Sequence, residues 1–104
     1  MRSALIPLGA LFVIGIACLF SMDGVVEHGK QVYAEQKCSI CHSIGGSGAG
    51  KAALDGVGSK LKPADIKKWI KTPKEMKASV VMKSYPNLPD TDLDDLIAYL
   101  RTLK

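Results

Sequence analysis

The sequence predicts an all-α domain of a few short helices and long loops, preceded by a single apolar segment. Three observations carry this. Ser3 to Met22, "SALIPLGALFVIGIACLFSM", is twenty residues without a charge. The last segment has Leu93, Leu96, Ile97 and Leu100 at i, i+3, i+4 and i+7, the stripe of a helix with one buried face. Between them no run alternates apolar and polar residues as a half-buried strand does.

The apolar segment, residues 1–22, is long enough to cross a hydrocarbon core as a helix. It also reads as a secretory signal, with Arg2 as a minimal charged start. Arg2 places the N-terminus inside and residues 23–104 on the extracytoplasmic, periplasmic side, anchored to the membrane. Cleavage would leave a soluble periplasmic domain, and lipidation of Cys18 is the third possibility. A retained anchor would sit about seven residues from the domain, an extended reach of at most roughly 25 Å.

Residues 23–104 then form one domain, for which a hydrophobic core alone supplies little stability. "GVVEHGKQVYAEQK" predicts a first helix over Val26 to Gln36, with Gly29 and Tyr33 on one face and Val25 and Val32 beside them. The six glycines from Gly45 to Gly58 predict a loop that wraps something closely. Pro63 suits a first helical position, and Pro73 stops that helix at about Lys71. "KEMKASVVMKSYPNLP" is a second wrapping loop. In the final helix, Asp90, Asp92, Asp94 and Asp95 lie early and Arg101 and Lys104 late, which complements the helix dipole.

The chain carries a formal charge of +4, unevenly spread. Nine lysines and three acids lie between Lys51 and Lys83. Without a nucleic-acid motif or interleaved aromatics, these lysines are a solvated face or a docking surface for an acidic protein partner. No G-x-S-x-G and no glycine-rich phosphate loop occurs.

The reactive groups concentrate in "CSICH", Cys38 to His42. A thioredoxin-like C-x-x-C requires a βαβ setting, which is missing. A structural zinc site requires four ligands, and His28 alone does not complete one. The remaining reading is covalent haem attachment. Two thiols three residues apart span the two vinyl groups on one edge of the macrocycle, and the next residue, His42, becomes the proximal iron ligand. For the other face of the iron, His28, Met76 and Met82 are candidates that spacing does not separate.

From Val26 onward the chain resembles the class I cytochromes c, small single-haem proteins with histidine–methionine ligation. The resemblance rests on Gly29 and Tyr33 before Cys38, on "LDGVGSK" after the glycine-rich loop, and on the final "LDDLIAYLRTL". It implies that the first and last helices cross at Gly29, against Leu96 and Tyr99. In the family an aromatic-x-x-x-Pro helix end is followed nine residues later by the ligand methionine. Trp69 and Pro73 match, and the count reaches Met82. The family's proline whose carbonyl accepts the proximal histidine's N–H aligns, through Leu54 and Gly56, with Ala52. Lys83 stands where a proline commonly follows the ligand methionine. The resemblance thus implies a haem c held by Cys38, Cys41, His42 and Met82, with Ala52, Leu54 and Trp69 about it. It implies one-electron transfer in a respiratory or photosynthetic chain, by a domain tethered to the membrane or built into a membrane complex, with membrane redox complexes as partners; an iron with both axial positions filled implies no small-molecule substrate and no enzymatic activity. The alternative is a haem enzyme or gas sensor in which Met82 dissociates.

Overall fold

The computed structural model describes residues 23–104. The apolar segment 3–22, and with it the anchor, signal and Cys18 readings, lies outside the described residues. Among the described residues no helix is long and apolar enough to cross a membrane.

The first helix, α1, occupies residues 23–35. Glu27, Lys30, Gln31, Ala34 and Glu35 are good helix formers and face outward, while Gly29 and Val32 are buried. The link of about seven residues to the apolar segment is therefore helical. Over residues 23–29 it rises only about 10 Å, less than half the extended reach. The helix ends at Lys37, whose φ of 58° and ψ of 37° are left-handed. That reversal turns the chain into a single 3-10 turn, Cys38–Ile40.

Two strands follow that the all-α expectation lacked. β1 (His42–Ser43) pairs in parallel with β2 (Ala52–Ala53), in the register His42 to Ala52 and Ser43 to Ala53. Two residues are too few to show alternation, so only the long-range pairing reveals them. The glycine-rich loop between them folds back on the 3-10 turn. The Ala49 N–H donates to Ser39 O (2.9 Å), and both Asp55 carboxylate oxygens accept from the Gly45 N–H, at 3.0 and 3.1 Å.

The next helices are short. α2 (Val57–Lys60) is one turn inside the predicted loop. α3 (Pro63–Lys71) starts with proline at its first position and buries Ile66 and Ile70. α4 (Pro73–Met76) is one turn in the stretch expected as loop, because Pro73 fixes helical φ and lacks only a donor that a first turn leaves unpaired anyway. Residues 77–89 are irregular. α5 (Asp90–Arg101) buries Leu93, Leu96, Ile97 and Leu100, with Asp90 and Asp92 in its first turn and Arg101 in its last.

One core joins Val32 of α1, Ile66 and Ile70 of α3 and the four buried residues of α5. At its centre α1 and α5 touch backbone to backbone. A Cβ on Gly29 would collide with the Asp95 carbonyl and reach 2.7 Å from Tyr99 Cβ. Only a glycine lets the helices cross this closely. Seven buried aliphatic residues make a small core, and Ile66, Ile70, Leu96 and Leu100 also face a cavity. Whatever fills that cavity completes the hydrophobic interior.

Candidate functional site

The cavity has a volume of about 420 Å³, within the range of ligand sites. Its walls are almost wholly apolar, and the reactive groups of the chain are gathered along them.

The 3-10 turn presents the two cysteines. The Cys41 N–H donates to Cys38 O at 3.2 Å, closing the turn so that both side chains line the cavity. Both thiols are free; Cys38 is half-buried and Cys41 exposed. Burial pushes the Cys38 thiol above its usual range by disfavouring the thiolate. Gly50 sits directly on this turn, where a Cβ would overlap the Cys41 backbone. The glycine-rich loop therefore closes over the turn instead of hanging free.

His42 leaves the turn into β1. The ladder sets Ala52 opposite it, and His42 Nδ1 lies 3.0 Å from the Ala52 carbonyl oxygen. A carbonyl only accepts, so the proton is on Nδ1 and the lone pair on Nε2. An imidazole held in this tautomer is prepared to bind a metal through Nε2. Ala52 is the residue that the resemblance aligned with a proline, and its carbonyl makes the contact.

Met82, Val80 and Val81 bring the irregular segment 77–89 to the cavity. Tyr85 anchors this segment twice. Its backbone N–H donates to Ile70 O at 2.9 Å, and its hydroxyl donates to Gln36 O at 3.1 Å. Lys83, in place of a proline, stacks its ammonium 5.2 Å from the centre of the Tyr85 ring. Met82 also borders a second, surface cavity with Lys71, Lys74 and Ser84. Leu54 and Trp69 complete the set, so all seven sequence-derived site residues line one cavity.

The other two ligand candidates stand elsewhere. Met76 ends α4 and is not among the residues lining this cavity. His28 lies at the α1–α5 crossing. Its Nδ1 is 2.7 Å from Asp95 Oδ2, and its Nε2 is 3.6 Å from Asp92 Oδ1. It is a surface residue that also ties the two helices together. The hydrogen bond to Asp95 raises its pKa, desolvation opposes the rise, and the charges of Asp95, Asp92 and Glu35 add to it. Reasoning from sequence overlooked the cavity roles of Tyr85, Gln36 and Val57, which carry no local motif.

Two thiols, an imidazole with a free Nε2 and a thioether, on the walls of an apolar cavity, suit a flat apolar macrocycle with a central metal. They do not suit a bare ion. Among the described residues no three His, Cys, Asp or Glu side chains cluster as a metal site. The profile of the family described as Cytochrome c matches residues 26–104. This chain belongs to the cytochrome c family. It therefore carries a covalently bound c-type haem, and haem-based electron transfer is its class of activity. Cytochrome c oxidase subunit 2 of Alkalihalophilus pseudofirmus is 35% identical over 91 residues, covering 79% of this chain and 27% of that protein. The chain thus spans little more than a quarter of that relative. No solved structure matches.

Proposed function

We propose that this cytochrome passes single electrons between redox proteins of a respiratory chain, with Cys38 and Cys41 holding the haem and His42 and Met82 as axial ligands. The observation that carries this is the gathering of all four side chains on one apolar cavity, with the His42 tautomer fixed by Ala52. The haem supplies a one-electron couple, and histidine–methionine ligation stabilises its ferrous form. The chain's own work is positional. The 3-10 turn orients the thiols, the Ala52 carbonyl holds the imidazole, and the Tyr85 anchors steady the segment bearing Met82. With both axial positions filled, no substrate reaches the metal, and the protein moves electrons without making bonds.

The respiratory assignment rests on the likeness to an oxidase subunit. Lys51, Lys74, Lys77 and Lys83 are all exposed and would steer a partner with an acidic face, at a rate that falls with salt. Residues 1–22 would hold the domain at the membrane on its extracytoplasmic side. The alternative, a haem enzyme or sensor, draws on one observation: Met82 lines both the haem cavity and a second cavity at the surface.

The deciding measurement is the visible spectrum of the reduced protein before and after carbon monoxide. An unchanged spectrum, with Met82→Ala turning CO-reactive and Met76→Ala staying inert, supports electron transfer through a closed site. Rapid CO binding by the unmutated protein sinks this reading and moves the enzyme or sensor forward.

A further inference from the structure

Among the described residues, every hydrogen bond that joins residues 81–88 to another part of the chain is made by Tyr85. Its N–H donates to Ile70 O at 2.9 Å, and its hydroxyl donates to Gln36 O at 3.1 Å. The Leu88 N–H returns to Tyr85 O and so stays within the stretch. Met82 lies three residues before Tyr85, inside the stretch that this one residue fastens.

Both acceptors are the loose carbonyls of helix ends. Ile70 stands one residue before the end of α3 and Gln36 one residue past α1, where carbonyls have no partner within the helix. The Ile40 N–H, four residues after Gln36, bonds Lys37 O instead. Tyr85 thus joins the ends of two helices at the cavity wall, which Gln36, Ile70 and Tyr85 all line. Gln36 also precedes Cys38 by two residues, so the hydroxyl arm ties the Met82 side of the cavity to the attachment side. The Lys83 ammonium, 5.2 Å from the ring centre, covers one face of the tyrosine. A methionine leaves an iron only when its segment moves away. A proline after Met82 would restrict that movement by fixing φ, and Lys83 does not. The restraint falls on the two Tyr85 bonds, and only a hydroxyl on the ring supplies the second.

We propose that the Tyr85 hydroxyl is the latch that keeps Met82 on the haem iron, by tying the Met82 segment to Gln36 beside the attachment turn. This rests on the reading above that Met82 is an axial ligand. The bond to Gln36 O exists only while the segment is closed, so its strength weights the closed state against local opening. Tyr85 is a positioning residue. It acts through Met82 and coordinates nothing itself.

The test is Tyr85→Phe in the haem-loaded protein, which removes one oxygen and keeps the ring, the N–H arm and the Lys83 contact. In the reduced protein carbon monoxide binds only after Met82 has left, so its binding rate reports the open fraction. That rate should rise by about twofold to tenfold, the strength of one neutral hydrogen bond. Two further variants separate a latch from a general loss of stability or a wider entrance. His28→Gln at pH 6 loses the tie between α1 and α5, and should lower the thermal midpoint without changing the CO rate. In a Met82→Ala background, where no ligand has to leave, adding Tyr85→Phe should change the CO rate no further. A rate in Tyr85→Phe equal to that of a slow unmutated protein overturns the latch and leaves the ligation reading standing. Equal acceleration in His28→Gln, or a further rise in the Met82→Ala background, also overturns it. Rapid CO binding by the unmutated protein takes Met82 off the iron, and both the ligation reading and the latch fall together.

Discussion

Replacing Gly29 with alanine should force α1 and α5 apart. The added Cβ would stand 2.7 Å from Tyr99 Cβ, where ordinary contact begins at 3.4 Å, so a separation of at least 3.4 − 2.7 = 0.7 Å is required. The Asp95 carbonyl is nearer still, and as helix backbone it cannot rotate away. A gap of that size forfeits roughly a quarter to a half of the dispersion energy of each atom pair along the seam. That seam carries Val32 and Leu96, each no more than 2% exposed. Overpacking costs about 1–3 kcal/mol and occasionally more, and a clash with rigid backbone belongs at the upper end. Alanine returns about 1 kcal/mol of helix propensity. The net loss should be about 2 kcal/mol, a fall of roughly 8–16 °C in thermal midpoint for a domain this size. Gly24, on the same helix, has nothing within 4 Å of where a Cβ would stand and serves as the control. Gly24→Ala should gain a few tenths to about 1 kcal/mol from propensity alone. Urea unfolding of the haem-loaded variants reads both. If Gly29→Ala proves as stable as the unmutated protein, the close crossing is not what holds these helices together.

His28 should make stability depend on pH. Its folded pKa is raised above the usual 6.5 by Asp95, with Asp92 and Glu35 adding to it. Its contribution is therefore complete below about 6.5 and is lost as pH rises through the folded value. Thermal midpoints between pH 5 and 8.5 should fall more steeply with pH for the unmutated protein than for His28→Gln; parallel curves would show that the ion pair is energetically idle. Lys37 holds left-handed angles that cost a residue with a Cβ about 1 kcal/mol. Lys37→Gly should raise stability by up to about 0.5 kcal/mol, once the added freedom of the unfolded chain is subtracted. Lys37→Ala should not, and equal gains in both variants would point to charge in place of backbone strain.

What could be read in advance divides by the range of the interaction. α3 was legible because Pro63 and Pro73 bracket it, and α5 because its apolar stripe repeats within one helix. The attachment turn was legible because its three reactive residues are adjacent in sequence. The ladder between β1 and β2 was not, since its two short strands are joined only by a pairing across the glycine-rich loop. Nor was the tie between His28 and Asp95, separated by 67 positions. Local pattern gives an isolated histidine no partner. Tyr85 is a similar case: its bonds go to the backbone atoms of Ile70 and Gln36, which any residues would offer.

The site shows the same division, with one consequence for how the fold works. Cys38, Cys41 and His42 announce themselves by spacing, whereas Ala52, Leu54 and Trp69 were reached only through resemblance to a family, and only that resemblance singled out Met82 from His28 and Met76. Their spacing in the chain is long because the cavity is closed by loops, and the core beneath it is small. Leu54, Leu61 and Trp69 line that cavity and are only half-buried by the protein itself. A side chain in that position gains its full burial only when the cavity is filled. Haem binding and folding are therefore linked, and ligand-dependent stability follows from the packing itself. The loops that look least ordered in sequence are the ones that this linkage holds in place. Gly50 against Cys41 and Tyr85 against Gln36 fix each of them to the attachment turn or its approach.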